Sequence, residues 1–204
     1  MKKFICVTPF QNPDYLKSVI YTPANNPSLG YDKETRFPII PTINAYTENG
    51  EEIELINIFC NHENAKINYV PMKKEIDCIS EEKNLKIVER TIDVPFNSSL
   101  EIQFKIFSEL ISFTNDNDML FCDITYGTKV MNQVLTMAIN YGYTIHNDVT
   151  IGCMVYGEYD FVKKIPIIYD ITSLIYLNEI VKILADNKVS DPEKKIKAFL
   201  NWED

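Results

Sequence analysis

Apolar residues fall in short dense runs separated by polar stretches, and two spacings alternate along the chain. Phe4-Ile5-Cys6-Val7 is an uninterrupted apolar run ending at Thr8-Pro9, the pattern of a buried strand opening into a loop. From Phe10 to Thr35 the chain is rich in Asn, Pro and Tyr without periodicity, which predicts a long loop that is functional or mobile. Ile39, Ile40, Ile43 and Tyr46 recur at near-helical spacing before Glu48-Asn49-Gly50, so a helix from Pro38 to a glycine cap is expected. Ile53 to Phe59 reads as a second strand, Pro71 to Lys83 as a helix with proline at its start, and Leu85 to Val94 as a third strand.

Asn97 to Thr114 sets Leu100, Phe104, Phe107, Leu110 and Ile111 on one helical face, with Asn97 or Ser98 as cap and Glu101 as capping-box partner. Met119 to Cys122 is continuously apolar between turn signals, as in a central parallel strand covered on both faces. Val130, Met131, Val134, Leu135, Met137, Ala138 and Tyr141 make an apolar helix ending near Gly142. Two more strands, Thr150 to Val155 and Ile165 to Tyr169, precede helices at Ser173 to Ala185 and Asp191 to Trp202. This alternation predicts an α/β, Rossmann-like fold: a mainly parallel six-stranded sheet with helices on both faces and ligands at the carboxyl ends of its strands. Residues 1–172 are expected to form the binding domain and 173–204 a short C-terminal helical tail.

Charge narrows the possible partners. A formal net charge of -9 argues against broad binding to duplex nucleic acid, which needs many cations to displace phosphate counterions. Arg36 and Arg90 are the only arginines, so lysines, hydroxyls and backbone N–H groups are the main donors for any phosphate. Cys6, Cys60, Cys122 and Cys153 fall in apolar runs, and Cys78 is as widely spaced as they are. With no CxxC pair, buried thiols in a reducing cytoplasm are expected rather than a metal site or disulfides. After Met1-Lys2-Lys3 the apolar stretch breaks at Gln11-Asn12-Pro13-Asp14, and no run approaches the roughly 18 residues that span a bilayer. A cytoplasmic protein that meets no membrane is the expectation, with His62 and His146 at its surface.

The most informative segment is Asp123-Ile124-Thr125-Tyr126-Gly127-Thr128-Lys129, between a buried strand and a helix. Gly127 permits a tight turn or close approach of backbone to ligand, and the N–H groups from Thr128 to Met131 stand unpaired at a helix start, where phosphate is attracted. Thr125 and Thr128 add hydroxyls and Lys129 a mobile cation. The alternative is that Asp123 or Thr125 caps the helix and Lys129 is solvated. Neither a Walker loop nor the GxGxxG of a dinucleotide fold is present. Asp170-Ile171-Thr172 echoes Asp123-Ile124-Thr125 and reads most economically as a cap for the Ser173 helix.

Asp123 to Gly127 resembles the D-x-T-H-G motif of CRISPR-associated proteins with a CARF domain, with Tyr126 in place of the family histidine, and Gly127-Thr128-Lys129-Val130-Met131 resembles their G-T-K-x-M turn. The likeness extends more loosely to the strand ending at Thr8, to Phe37-Pro38-Ile39-Ile40-Pro41 and to Tyr169-Asp170-Ile171-Thr172. The resemblance implies a homodimer that binds cyclic tetra- or hexa-adenylate, the second messenger of type III CRISPR antiviral signalling, across its two-fold axis. Thr8, Pro9 and Phe10 would face the ring from one side; Asp123, Thr125, Tyr126, Gly127, Thr128, Lys129 and Met131 would face it from the other. The small size resembles the stand-alone ring nucleases, which cut the messenger without metal or cofactor. In that chemistry Lys129 stabilises charge while Thr8 and Thr125 position phosphate and ribose. Two rivals stand beside it: a non-catalytic sensor that regulates a separate effector, and an unrelated Rossmann-like protein that binds a mononucleotide or serves as a structural partner.

Overall fold

The computed structural model describes residues 1–160 and 162–200. Strands β1 (Lys2–Val7), β2 (Thr22–Pro23), β3 (Glu52–Asn61), β4 (Lys86–Pro95), β5 (Met119–Asp123), β6 (Thr150–Asp160) and β7 (Ile165–Asp170) form one sheet in the order β2-β7-β6-β5-β1-β3-β4. From β4 across to β6 every neighbouring pair is parallel; β7 returns antiparallel to β6, and β2 runs parallel to β7. The expected α/β, mainly parallel architecture is therefore present, with seven strands in place of six. The added strand is the two-residue β2, which has no hydrophobic pattern of its own. It exists because Asn25 clasps the Asp170 backbone at 2.7 and 2.9 Å while Asn26 donates to the Asp170 carboxylate at 2.7 Å.

Alternation along the strands builds two cores, one on each face. Phe4, Cys6, Ile53, Leu55 and Phe121 point towards α1 (Ile39–Tyr46) and α2 (Glu63–Glu82), meeting Ile40, Ile43, Met72 and Ile76. Ile5, Val7, Ile56, Ile58, Leu120 and Cys122 point the other way, towards α3 (Leu100–Ser112), α4 (Lys129–Ile145) and the start of α5 (Ser173–Asp186). Each fully buried Phe, Leu or Ile contributes about 1.5–3 kcal/mol, which fixes register because a one-residue slip would exchange the two faces. Opposite Leu120 and Phe121 the register skips Gly152, and a Cβ there would stand 2.3 Å from the Phe121 ring. The missing side chain makes room for a ring that also stacks on Phe4 at 4.5 Å.

Three helix expectations need correction. Helix α2 starts at Glu63 and carries Pro71 inside it, because His62 caps it: Asn64 N–H donates to the His62 Nδ1 at 3.1 Å. Proline frees the carbonyl of the exposed Ile67, where water can satisfy it. In α3 the buried stripe is Gln103, Ile106 and Leu110, while Leu100 and Phe104 are 69% and 67% exposed. The helix turns that stripe to the sheet and leaves Phe107 for an edge contact with Tyr141 of α4 at 5.9 Å. Helix α1 stops at Tyr46, and Gly50, at φ +80°, serves the turn into β3 rather than the helix end. Helix α6 spans Pro192–Leu200, so the expected end at Trp202 lies outside the described residues.

Candidate functional site

The chain leaves β1 towards β3 and β4, then returns to the other side of β1 to form β5. In open α/β sheets the crevice outside the carboxyl edge at such a reversal is where ligands bind. Pro9 and Phe10 follow β1 at this edge, and Asp123 to Lys129 lead from the end of β5 into α4. Gly127 takes φ +104° and passes directly over β1: a Cβ there would stand 3.4 Å from the Val7 side chain and 3.1 Å from the Asn132 amide oxygen. Only glycine supplies both that conformation and that approach.

Within the turn the side chains have separate duties. Asp123 points to the α1 side, where it accepts from the Ile39 N–H at 3.1 Å and the Thr125 N–H at 2.8 Å, so it caps α1 rather than α4. Burial pushes its carboxyl up to about 6, against hydrogen bonds from Thr125 and Ile39 that pull it down. Thr125 Oγ1 accepts from the Gly157 N–H at 2.7 Å, tying the turn to β6. The Tyr126 hydroxyl donates to the Arg36 carbonyl and is hydrogen-bonded to the Tyr21 phenol. Its ring meets Phe37 edge-on at 6.3 Å. Thr128 is the cap of α4, accepting from the Met131 N–H at 3.1 Å. Lys129 opens α4 and is exposed, and its ammonium has no acidic partner among the described residues.

Besides the buried Asp123, two further sequence-derived site residues point inward. Thr8 is buried on the α2 side, where its hydroxyl donates to Asn57 Oδ1 at 2.9 Å and its N–H to the Ile58 carbonyl at 3.0 Å. Met131 is buried in the core, its sulfur 3.8 Å from that of Cys60. Both face inward because strand and helix periodicity assigns them to the packed side. Phe10 packs edge-on against Phe96 at 5.3 Å, and His62 lies 4.6 Å from the same ring. His62 is thus a helix cap beside an aromatic cluster, whereas His146 pairs with Asp116 at 3.2 Å.

Both arginines are committed elsewhere: Arg36 to Glu75 at 2.8 Å, and Arg90 to Glu54. Asp170 repeats the Asp123 arrangement. Its Oδ1 accepts from the Thr172 N–H at 3.0 Å, and Thr172 Oγ1 accepts from the Met154 N–H at 2.8 Å. Two Asp-Ile-Thr turns therefore pin β6 from its two sides, and Thr172 makes no side-chain cap to α5.

Beside the Thr125 wall lies a cleft of about 370 Å³ that sequence reasoning missed. The loop after β1 supplies Tyr15, Lys17 and Tyr21, and β6 supplies Tyr156, Glu158 and Tyr159. The signal in the sequence was the tyrosine content of the 10–35 loop and the Tyr156-Gly157-Glu158-Tyr159 run, but nothing local says that the two meet. They meet closely at Gly157, where a Cβ would stand 3.3 Å from the Tyr21 ring and 2.4 Å from Pro38.

Among the described residues no group of three His, Cys, Asp or Glu is arranged to hold a metal ion, and no helix is long and apolar enough to cross a membrane. The five cysteines are free, with Cys78 alone exposed. No protein-family model matches the chain, and no curated protein matches it.

Proposed function

We propose that this protein binds a cyclic oligoadenylate in the crevice at the reversal between β1 and β5 and opens the ring. The observation that carries this reading is the Gly127 turn leading into α4. A backbone with a left-handed glycine, a helix start and the ammonium of Lys129, without an acidic partner among the described residues, come together at the carboxyl edge of the sheet. Such a start attracts phosphate through its free N–H groups and helix dipole. The resemblance of Asp123 to Met131 to CARF turns supplies the ligand class, and an isologous dimer would present the turn twice to a symmetric ring.

Ring opening on this reading is attack of a ribose 2′-oxygen on the adjacent phosphorus. The bond to the 5′-oxygen breaks, leaving a 2′,3′-cyclic phosphate and a 5′-hydroxyl that takes up the proton. Lys129 stabilises the charge on the phosphoryl oxygens, and Thr125 lines the approach. Thr8 is given no contact with the ring, since its hydroxyl is committed to Asn57.

Incubation with cyclic tetra- and hexa-adenylate in the presence of a chelator tests the proposal, with linear products expected. Lys129→Ala removes one charge-assisted contact, worth roughly 1.5–3 kcal/mol, so ring affinity should fall about tenfold to a hundredfold with the melting temperature unchanged. Wild-type binding by the variant would return Lys129 to the status of a solvated lysine. Ring binding without products would favour the sensor reading.

A further inference from the structure

We infer that the tyrosine-lined cleft beside Thr125 and Tyr126 is a pocket for the base of a nucleoside monophosphate. Its size, about 370 Å³, is at the low end for small-molecule sites and suits one nucleoside unit rather than a whole ring. Its lining carries aromatic rings: Tyr15 is 63% exposed, Tyr156 41% exposed, and Tyr21 is buried. Aromatic side chains left open to solvent around a concavity are the means by which bases are held, because every base has a face to stack.

The charged groups fit the rest of a nucleotide. Lys17 lines the cleft with no acidic partner among the described residues, and so is available to a phosphate. Glu158 already holds the Tyr169 phenol and keeps acceptor capacity for a ribose diol or an exocyclic amine. A peptide is a poorer occupant. β7 pairs β6 from Val155 to Asp160, and on the other side, where β5 pairing ends at Val155, the Gly157 N–H is already taken by Thr125 Oγ1, so a strand added there would lack that donor. Thr125 and Tyr126 are shared between this wall and the Asp123–Lys129 turn, which places the two sites against each other. The inference rests on the ring reading only in making adenine the first base to test.

Titration of the full chain with adenosine and with adenosine 5′-monophosphate, followed by calorimetry, tests the pocket. Tyr156→Ala and Tyr15→Ala are each expected to weaken both ligands about tenfold without lowering the melting temperature. Lys17→Ala should weaken the monophosphate and leave adenosine unchanged. If neither ligand binds the wild type, or if both bind the two tyrosine variants as they bind the wild type, the pocket is refuted. Cyclic tetra-adenylate titrated in parallel separates the two proposals. Ring binding that survives with no mononucleotide binding removes this site alone, and mononucleotide binding with no ring binding removes the ring reading alone.

Discussion

Asp123 shows how one residue serves fold and site together. It caps α1 through Ile39 and shapes the turn through Thr125, yet it does so as a buried carboxyl whose pKa is pushed from 3.8 to about 6. The folded value lies above the unfolded one, so the stabilisation belongs to the protonated form. It is fully present below about pH 3.8 and is lost as pH rises through about 6. A rise of that size corresponds to roughly 3 kcal/mol. Asp123→Asn removes the titration. Its stability relative to the wild type is therefore expected to rise by about that amount between about pH 3.5 and pH 7 in urea unfolding. Parallel pH profiles would show that Asp123 titrates normally in the folded chain.

At the scale of elements, the far end of the sheet is held by charge rather than by oil. Lys3 of β1 is buried, 3.0 Å from Glu54 of β3 and 3.0 Å from Asp118 just before β5, and it also donates to the Phe113 carbonyl. One ammonium thus joins the starts of three strands, and Arg90 of β4 reaches the same Glu54. Removing one partner of a buried pair strands the others without compensation, so Lys3→Met is expected to cost about 3 kcal/mol or more. Chemical denaturation measures it, and a loss below about 1 kcal/mol would mean that the cluster behaves like a surface ion pair. The Lys3 cluster and the crevice lie at opposite ends of β1, so this loss should leave ligand affinity unchanged once the protein is folded.

At the scale of the whole molecule, the outer helices carry exposed apolar side chains. Helix α5 buries only Ile175 of its residues and leaves Leu174, Val181 and Ile183 exposed, and on α4 Val130 and Met137 are exposed as well. The proposed two-fold dimer would bury part of this surface and bring two Asp123–Lys129 turns together. Light scattering is expected to give twice the chain mass of 23.6 kDa at micromolar concentration, and Met137→Glu to shift the equilibrium towards the single chain. A single-chain mass that persists with saturating cyclic oligoadenylate would remove the shared cleft from the proposal.

The sequence by itself determined the fold class, because the two-residue and near-four-residue spacings of apolar side chains are local properties that packing only has to satisfy. It also located the Asp123–Lys129 turn, since an apolar run, a glycine and a helix start are adjacent in the chain. The tertiary structure decided which side chains that turn makes available. Thr8 and Met131 are consecutive with the crevice in sequence, but periodicity turns them inward, to Asn57 and to Cys60. The tyrosine cleft joins residues 15–21 to residues 156–159, and strand β2 depends on Asn25 and Asn26 reaching Asp170. These are hydrogen bonds and contacts between segments more than a hundred residues apart, so no window of sequence contains both partners.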